Sequence, residues 1–215
     1  MDAHSSTQQD KESLISGIVA AEWDFFQQTR NTGGRASCQN NPDTFGVMRR
    51  SQFLCWSTEA LASYASDLEA CKAQGANPVA AKYAYMMRRT HPDEYREIAD
   101  QLPPVSDGKK AMADQIVAIN IDWQLECDRL YPILRSGGRP STAERDSAFI
   151  TSFETYLRGE LYSYSEATVS LVLRDTLKAK EEGRNFAEEN LDHMAQSMGY
   201  DSAKTLEERT EELQH

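Results

Sequence analysis

Apolar side chains recur at three- and four-residue intervals through most of this chain, the spacing that gathers them on one face of a helix. The first run, from about Asp10 to Arg30, carries Leu14, Ile18, Ala21 and Phe25 in step with Gln28, and Trp23 and Phe26 widen its face. Turn-forming residues from Asn31 to Pro42 predict a loop. Asp43 is the expected N-cap of a second helix, with Phe45, Met48, Gln52, Phe53 and Trp56 on one stripe. That pattern continues through Leu61, Tyr64, Ala65 and Leu68 to Cys71, after a kink near Ser57. Gly75 suits the residue just past a helix, and Asn77-Pro78 an N-cap followed by proline, so a further helix is predicted to Arg89.

The pattern then starts again. A helix from about Lys109 to Leu130 holds Ile116, Ile119, Trp123 and Cys127, and a long one is expected over roughly 148–181. Gly183-Arg-Asn185 repeats Gly75-Ala-Asn77, Asn185 with Glu188 resembles a capping box, and a short last helix falls near Ser202–Leu213. Shifted by 108 positions, Phe45 meets Phe153, Arg50 meets Arg158, Gln52 meets Glu160, Trp56 meets Tyr164 and Asp67 meets Asp175. Glu22-Trp23 and Asp122-Trp123 are approximate counterparts. The reading is an all-α, internally duplicated domain, about three helices per repeat around a pseudo-two-fold axis. Residues 1–9 are expected to be disordered, 10–95 and 109–201 to form the repeats, 96–108 a linker and 202–215 a terminal helix. Two loosely docked three-helix units are the alternative.

Composition changes this picture little. Forty per cent apolar and 27 per cent charged residues are ordinary for a globular protein. No apolar run reaches a membrane span, and the polar N-terminus lacks a signal peptide's apolar stretch, so a cytoplasmic protein is expected. Cys38, Cys55, Cys71 and Cys127 lack metal-ligand spacing and read as reduced thiols. A net charge of −11 argues against DNA or any broad nucleic-acid footprint. The pairs Arg49-Arg50, Arg88-Arg89 and Lys109-Lys110 leave room for a local RNA contact.

Gln52 and Glu160 are polar residues on apolar stripes, so each must find a partner. Two readings stand open. They are ligand-facing groups between the halves, with Glu160 suited to a guanidinium, or they tie helices together, with Arg50 or Arg158 as partner. Gly33-Gly34 either lets backbone amides approach an oxyanion or makes a plain turn. Cys38 precedes the predicted helix start, where a thiol gains nucleophilicity; the second copy has Thr142 near that position. Ser37 is its neighbour. Tyr156, Tyr162 and Tyr164 are mainly packing candidates with phenols able to relay a proton.

The strings Glu22-Trp23, Gly33-Gly-Arg-Ala-Ser-Cys-Gln39, Thr44-Phe45, Met48-Arg49, Ser51-Gln52-Phe53 and Trp56 resemble a family of helical proteins long catalogued as a domain of unknown function. Thr151 to Leu161, Tyr164-Ser-Glu166 and Gly183-Arg-Asn185 match its second half, so the resemblance covers roughly residues 14–205. The fungal branch is associated with arginine-containing cyclodipeptide synthases, which draw on arginyl-tRNA and a second aminoacyl-tRNA. If the resemblance extends to that activity, the residues of this chain suggest the roles: Cys38 or Ser37 would accept the arginyl group while the loop of Gly33, Gly34, Arg35 and Gln39 would hold the oxyanion and substrate. Glu160, with Glu154, would bind the guanidinium. Gln52 and Arg50 would orient the acyl group or tRNA end, with Trp56, Tyr156, Arg158 and Tyr164 around them. No metal, ATP or other cofactor is called for, since the ester to tRNA drives the reaction. A non-catalytic helical protein binding a cationic molecule or partner helix, and a tailoring or hydrolytic enzyme on an arginine-bearing molecule, are the competing classes.

Overall fold

A computed structural model of the chain describes residues 3–30 and 34–214. Its first half comprises α1 (Ala3–Gln28), a 3-10 turn (Ser37–Asn40), α2 (Pro42–Leu54), α3 (Thr58–Ala73), α4 (Pro78–Thr90) and α5 (Pro92–Ile98). The second comprises α6 (Asp107–Leu130), α7 (Pro132–Ser136), α8 (Phe153–Ser163), α9 (Glu166–Glu181), α10 (Phe186–Ser197) and α11 (Ala203–Gln214). Among the described residues there is no strand, and no helix is long and apolar enough to cross a membrane. The protein is all-α.

Three expectations change. Residues 3–9, expected to be disordered, are helical in α1, where Gln8, Gln9, Lys11 and Glu12 are good helix formers; residues 1–2 lie outside the described chain. The kink near Ser57 is a full break, because Ser57 is extended (φ −70°, ψ 158°) and its hydroxyl caps α3 at Ala60 N. The single helix expected over 148–181 breaks the same way at Ser165, which caps α9 at Thr168 N. Serine competes for the backbone and favours caps over helix interiors.

The two breaks secure each other. Ser57 N donates to Asp175 Oδ2 and Ser165 N donates to Asp67 Oδ2, both at 2.9 Å. Asn77 caps α4 and donates to Phe25 O, while Asn185 caps α10 and donates to Trp123 O. This bond sets Phe25, not Trp23, in register with Trp123, so Glu22 falls opposite Asn120 and Asp122 is exposed. Gly75 and Gly183 take the left-handed backbone (φ +66° and +70°) that closes α3 and α9.

α3 packs on α9, α1 on α3, α6 on α9, α10 on α2 and α4 on α8. The core runs through both halves and includes Ile15, Ile18, Phe53, Leu61, Ile116, Leu161 and Val169. At the α4–α8 crossing the two backbones come close together. A Cβ on Gly159 would stand 2.8 Å from Lys82 O and 2.7 Å from Met86 Cγ. Methionine can move aside, but the carbonyl cannot. Gly159→Ala is therefore expected to lose roughly 1–3 kcal/mol, the usual penalty of overpacking, read as a lower urea midpoint at unchanged slope.

Candidate functional site

Where α1, α2, α4 and α8 meet, the apolar pattern carries charged residues into the interior. Arg49 lies four residues from both Phe45 and Phe53, and its guanidinium stacks 4.6 Å from the Phe53 ring. Its Nε and Nη2 donate to the two Glu22 oxygens at 2.6 and 2.7 Å. Nη1 lies 2.8 Å from Glu160 Oε1 while its hydrogen bond goes to Gln52 Oε1 at 2.7 Å. Gln52 Nε2 donates to Glu160 Oε2 at 3.0 Å. Tyr64 donates to Glu22 at 2.6 Å, and Lys82 Nζ reaches Glu160 Oε1 at 3.5 Å and Tyr156 Oη at 3.0 Å. All four ionic residues are buried.

Burial works against each charge, and the partners outweigh it. Glu160 is held below the ordinary glutamate value by Arg49, Lys82 and the Gln52 amide, against the upward pull of burial. Burial pulls Arg49 and Lys82 down, but Glu160 and Glu22 raise the first, and Tyr156 and Glu160 the second. The phenols of Tyr64 and Tyr164 are raised by burial first and then by Glu22 and Glu160 respectively.

The expected pairing of Gln52 with Glu160 is present, but its partners are not. Arg50 reaches outward to Glu12 at 2.5 Å, and Arg158 pairs with Asp114. Position 49, one residue earlier, faces the core. Glu160 was expected to receive a substrate guanidinium; both its oxygens are engaged by Arg49, Lys82 and Gln52. Trp56 is buried against Phe53, Tyr64 and Tyr164. Met48, expected on the apolar stripe, is exposed.

The first loop divides in two. Gln39 is buried, and its amide donates to Phe26 O and Thr29 O and accepts from Ala36 N, which closes the end of α1. Arg35 holds Asn40 Oδ1 and Gln39 O at 2.8 Å. Gln39 is thus committed to the fold, while Arg35 is exposed. Gly34 is exposed with φ +92°, and Gly33 lies outside the described residues. Ser37 and Cys38 are exposed in the 3-10 turn. The start of α2 is capped by Asn41, whose side chain accepts from Thr44 N.

Cys38 differs from the other thiols in its exposure. Burial pushes Cys55 and Cys127 up to about 12 and raises Cys71. Burial raises the Tyr83 phenol first, with Tyr156 adding to it and the cations of Lys82 and Arg139 opposing it. Arg139, from the Gly137-Gly138 loop, stacks 4.8 Å from the Tyr156 ring. Glu154 accepts from Ala143 N at 2.8 Å and so anchors that loop.

A family model described as a protein of unknown function matches residues 12–208 of the chain. The chain belongs to the DUF4125 family. No curated protein and no solved structure matches it.

In this DUF4125 chain α4 and α8 also border an open groove of about 420 Å³, lined by Arg88, Arg89, Arg158, Tyr85 and Tyr162. It shares Tyr85, Arg88 and Tyr162 with a second hollow of about 440 Å³ that includes Lys110 and Tyr95. Arg88 and Arg89 are exposed, and Arg89 lies 3.7 Å from Asp146. Sequence reading singles out the pair Arg88-Arg89 but misses Lys82, Tyr83 and Arg139. A lysine three residues after Val79 and four before Met86, on an apolar helix face, is the legible signal for Lys82.

Proposed function

We propose that the protein is an aminoacyl-tRNA-dependent transferase that makes arginine-containing cyclodipeptides, with Cys38 as acyl acceptor. The observation that carries this reading is that Cys38, in the 3-10 turn before α2, is the exposed one of the four thiols. The association of the family's fungal branch with such synthases supplies the substrate class, and the groove along α4 and α8, where Arg88, Arg89 and Arg158 outnumber Glu154, is its support for RNA.

In this scheme the Cys38 sulfur attacks the arginyl ester carbonyl. The thiol proton passes to the departing ribose oxygen, and a thioester forms as the ester bond breaks. Tyr156 accepts a hydrogen bond from Lys82, so its own O–H is free to hydrogen-bond the leaving oxygen without giving up its proton. The amine of the second aminoacyl-tRNA then attacks the thioester and returns the thiol. The arginine amine closes the ring on the remaining ester and releases the second tRNA. Gln52 and Glu160 hold α8, and with it Tyr156, against α2 in this scheme and do not touch substrate.

The test is mass spectrometry of a bacterial host expressing the protein, searched for cyclo-Arg-Xaa masses absent from an empty-vector control. Soluble, folded protein with no such product counts against the synthase. The groove has its own test. Arg88→Glu with Arg89→Glu is expected to weaken binding of an uncharged tRNA and to lower the salt slope by about one unit for each phosphate no longer neutralised, measured by filter binding over a salt series. Unchanged affinity and slope would move the RNA-binding face elsewhere.

A further inference from the structure

Between the 3-10 turn at Ala143–Arg145 and α8 the chain makes a short projecting turn that carries Phe149, 99% exposed, and then Ile150 at 42%. The turn is held although this side chain buries nothing. Ser147 N donates to Ile150 O at 2.9 Å, and the Ser147 hydroxyl accepts from Phe149 N at 3.2 Å and from Ile150 N at 3.1 Å. At the base, Asp146 accepts from Ser152 N at 2.6 Å and from the Thr155 hydroxyl at 2.5 Å, and Arg139 donates to Thr151 O at 2.9 Å. A phenyl ring held out in water on a tied turn adds nothing to the core. It does offer a ligand a flat surface on backbone that is already ordered.

The 108-residue register shows the turn to be an addition of the second half. Residues 147–150 match Gln39, Asn40, Asn41 and Pro42, which run directly into α2 at Pro42. In that register α8 begins three residues later, at Phe153, and the chain released by the delay forms the turn. The turn stands on the rim of the arginine groove. Ala143 and Glu154, to either side of it in sequence, line that groove. Asp146 lies 3.7 Å from Arg89, which also donates to Ala143 O at 3.3 Å. Phe149 follows Asp146 by three residues, at most about 11 Å of extended chain. Arg158 pairs with Asp114 and Arg89 leans on Asp146, so Arg88 is the groove's arginine with no carboxylate partner among the described residues.

We infer that this rim binds a single-stranded segment of RNA, with a phosphate on Arg88 in the groove and a nearby unpaired base stacked on Phe149. Stacking separates this site from general attraction to phosphate. Inside a duplex both faces of a base are covered by its neighbours, so a ring on a turn finds a partner where bases are unpaired. Arginines alone would take duplex and single strand alike. One ring reads no sequence, since every base has a π-face. The inference deepens the RNA part of the reading above and rests on it: an aminoacyl-tRNA carries its amino acid on an unpaired end.

The test is fluorescence anisotropy of the full-length protein with a labelled, unstructured RNA oligonucleotide and with a blunt duplex of the same sequence, over a salt series. The single strand is expected to bind more tightly than the duplex. Phe149→Ala should weaken the single strand roughly five- to a hundredfold, the worth of one stacked base, and leave the salt slope unchanged. Phe149→Trp should retain binding, and Arg88→Glu should lower the slope. Phe149 has no packing to lose, so the alanine variant should melt with the wild type. The inference is overturned if Phe149→Ala binds as well as the wild type, if the duplex binds as tightly as the single strand, or if the single strand does not bind. Phe149-dependent binding to phosphatidylserine vesicles in place of RNA would overturn it in favour of a lipid surface. The transferase reading fails separately. Absence of cyclodipeptide with Phe149-dependent RNA binding intact counts against the chemistry alone, and wild-type product from Phe149→Ala counts against this site alone.

Discussion

Cys38→Ala is expected to reduce cyclo-Arg-Xaa formation to background, a loss of roughly a thousandfold or more, as when a covalent nucleophile is removed. The substitution touches an exposed residue of a short turn, so stability should hardly change. Product is read by mass spectrometry and folding by thermal melting. A second reading separates acyl transfer from mere substrate contact. Radiolabelled arginyl-tRNA should leave acid-precipitable label on the wild-type protein, label that hydroxylamine releases and that Cys38→Ala lacks. Retained turnover by Cys38→Ala would remove the thiol as acceptor and turn attention to Ser37 or to direct transfer between the two tRNAs.

The second large effect is on stability. Arg49→Met removes the counter-charge of two buried carboxylates, Glu22 and Glu160, together with the stacking on Phe53. Breaking a buried pair by deleting one partner costs about 3–5 kcal/mol. In a chain of this size that lowers the melting temperature by roughly 6–20 °C. Arg49→Leu combined with Glu22→Asn should recover part of the loss, because those are the residues at the matching positions of the second half. A melting temperature unchanged in Arg49→Met would mean that the cluster carries little of the fold. The sign with pH follows from Glu160, whose folded-state value is depressed. Its contribution is complete above the ordinary glutamate value of about 4.3 and is lost as the pH falls through the lower folded value. Acid unfolding of the wild type should therefore set in below that range, and Glu160→Gln should flatten this part of the curve while lowering stability near neutrality.

Much of this is legible in the chain. The 108-residue register joins Gln52 to Glu160 and pairs Ser57 with Ser165, and the structure makes contacts at each of these positions. The glycine and asparagine punctuation after residues 73 and 181 marks the ends of α3 and α9 and the starts of α4 and α10. What stays hidden depends on direction around the helix and on neighbours distant in sequence. Arg49 and Arg50 are adjacent, yet about 100° apart on the helix, and only the inner one meets Glu160. The stripe of Phe45, Gln52 and Phe53 contains that information, but an apolar Met48 reads as its member more readily than a charged Arg49. Gln39 looks like a substrate ligand because it stands beside Cys38; its amide turned inward to the end of α1 is a tertiary fact.

Ser57 and Ser165 each begin a helix whose first backbone amide is held by an aspartate from the opposite half. Neither half closes its own corner. Isolating either half at the Pro103-Pro104 stretch would strand a carboxylate on one side and an N–H on the other. Two such crossed ties are mutual guarantors, so the full chain is expected to unfold in a single calorimetric transition.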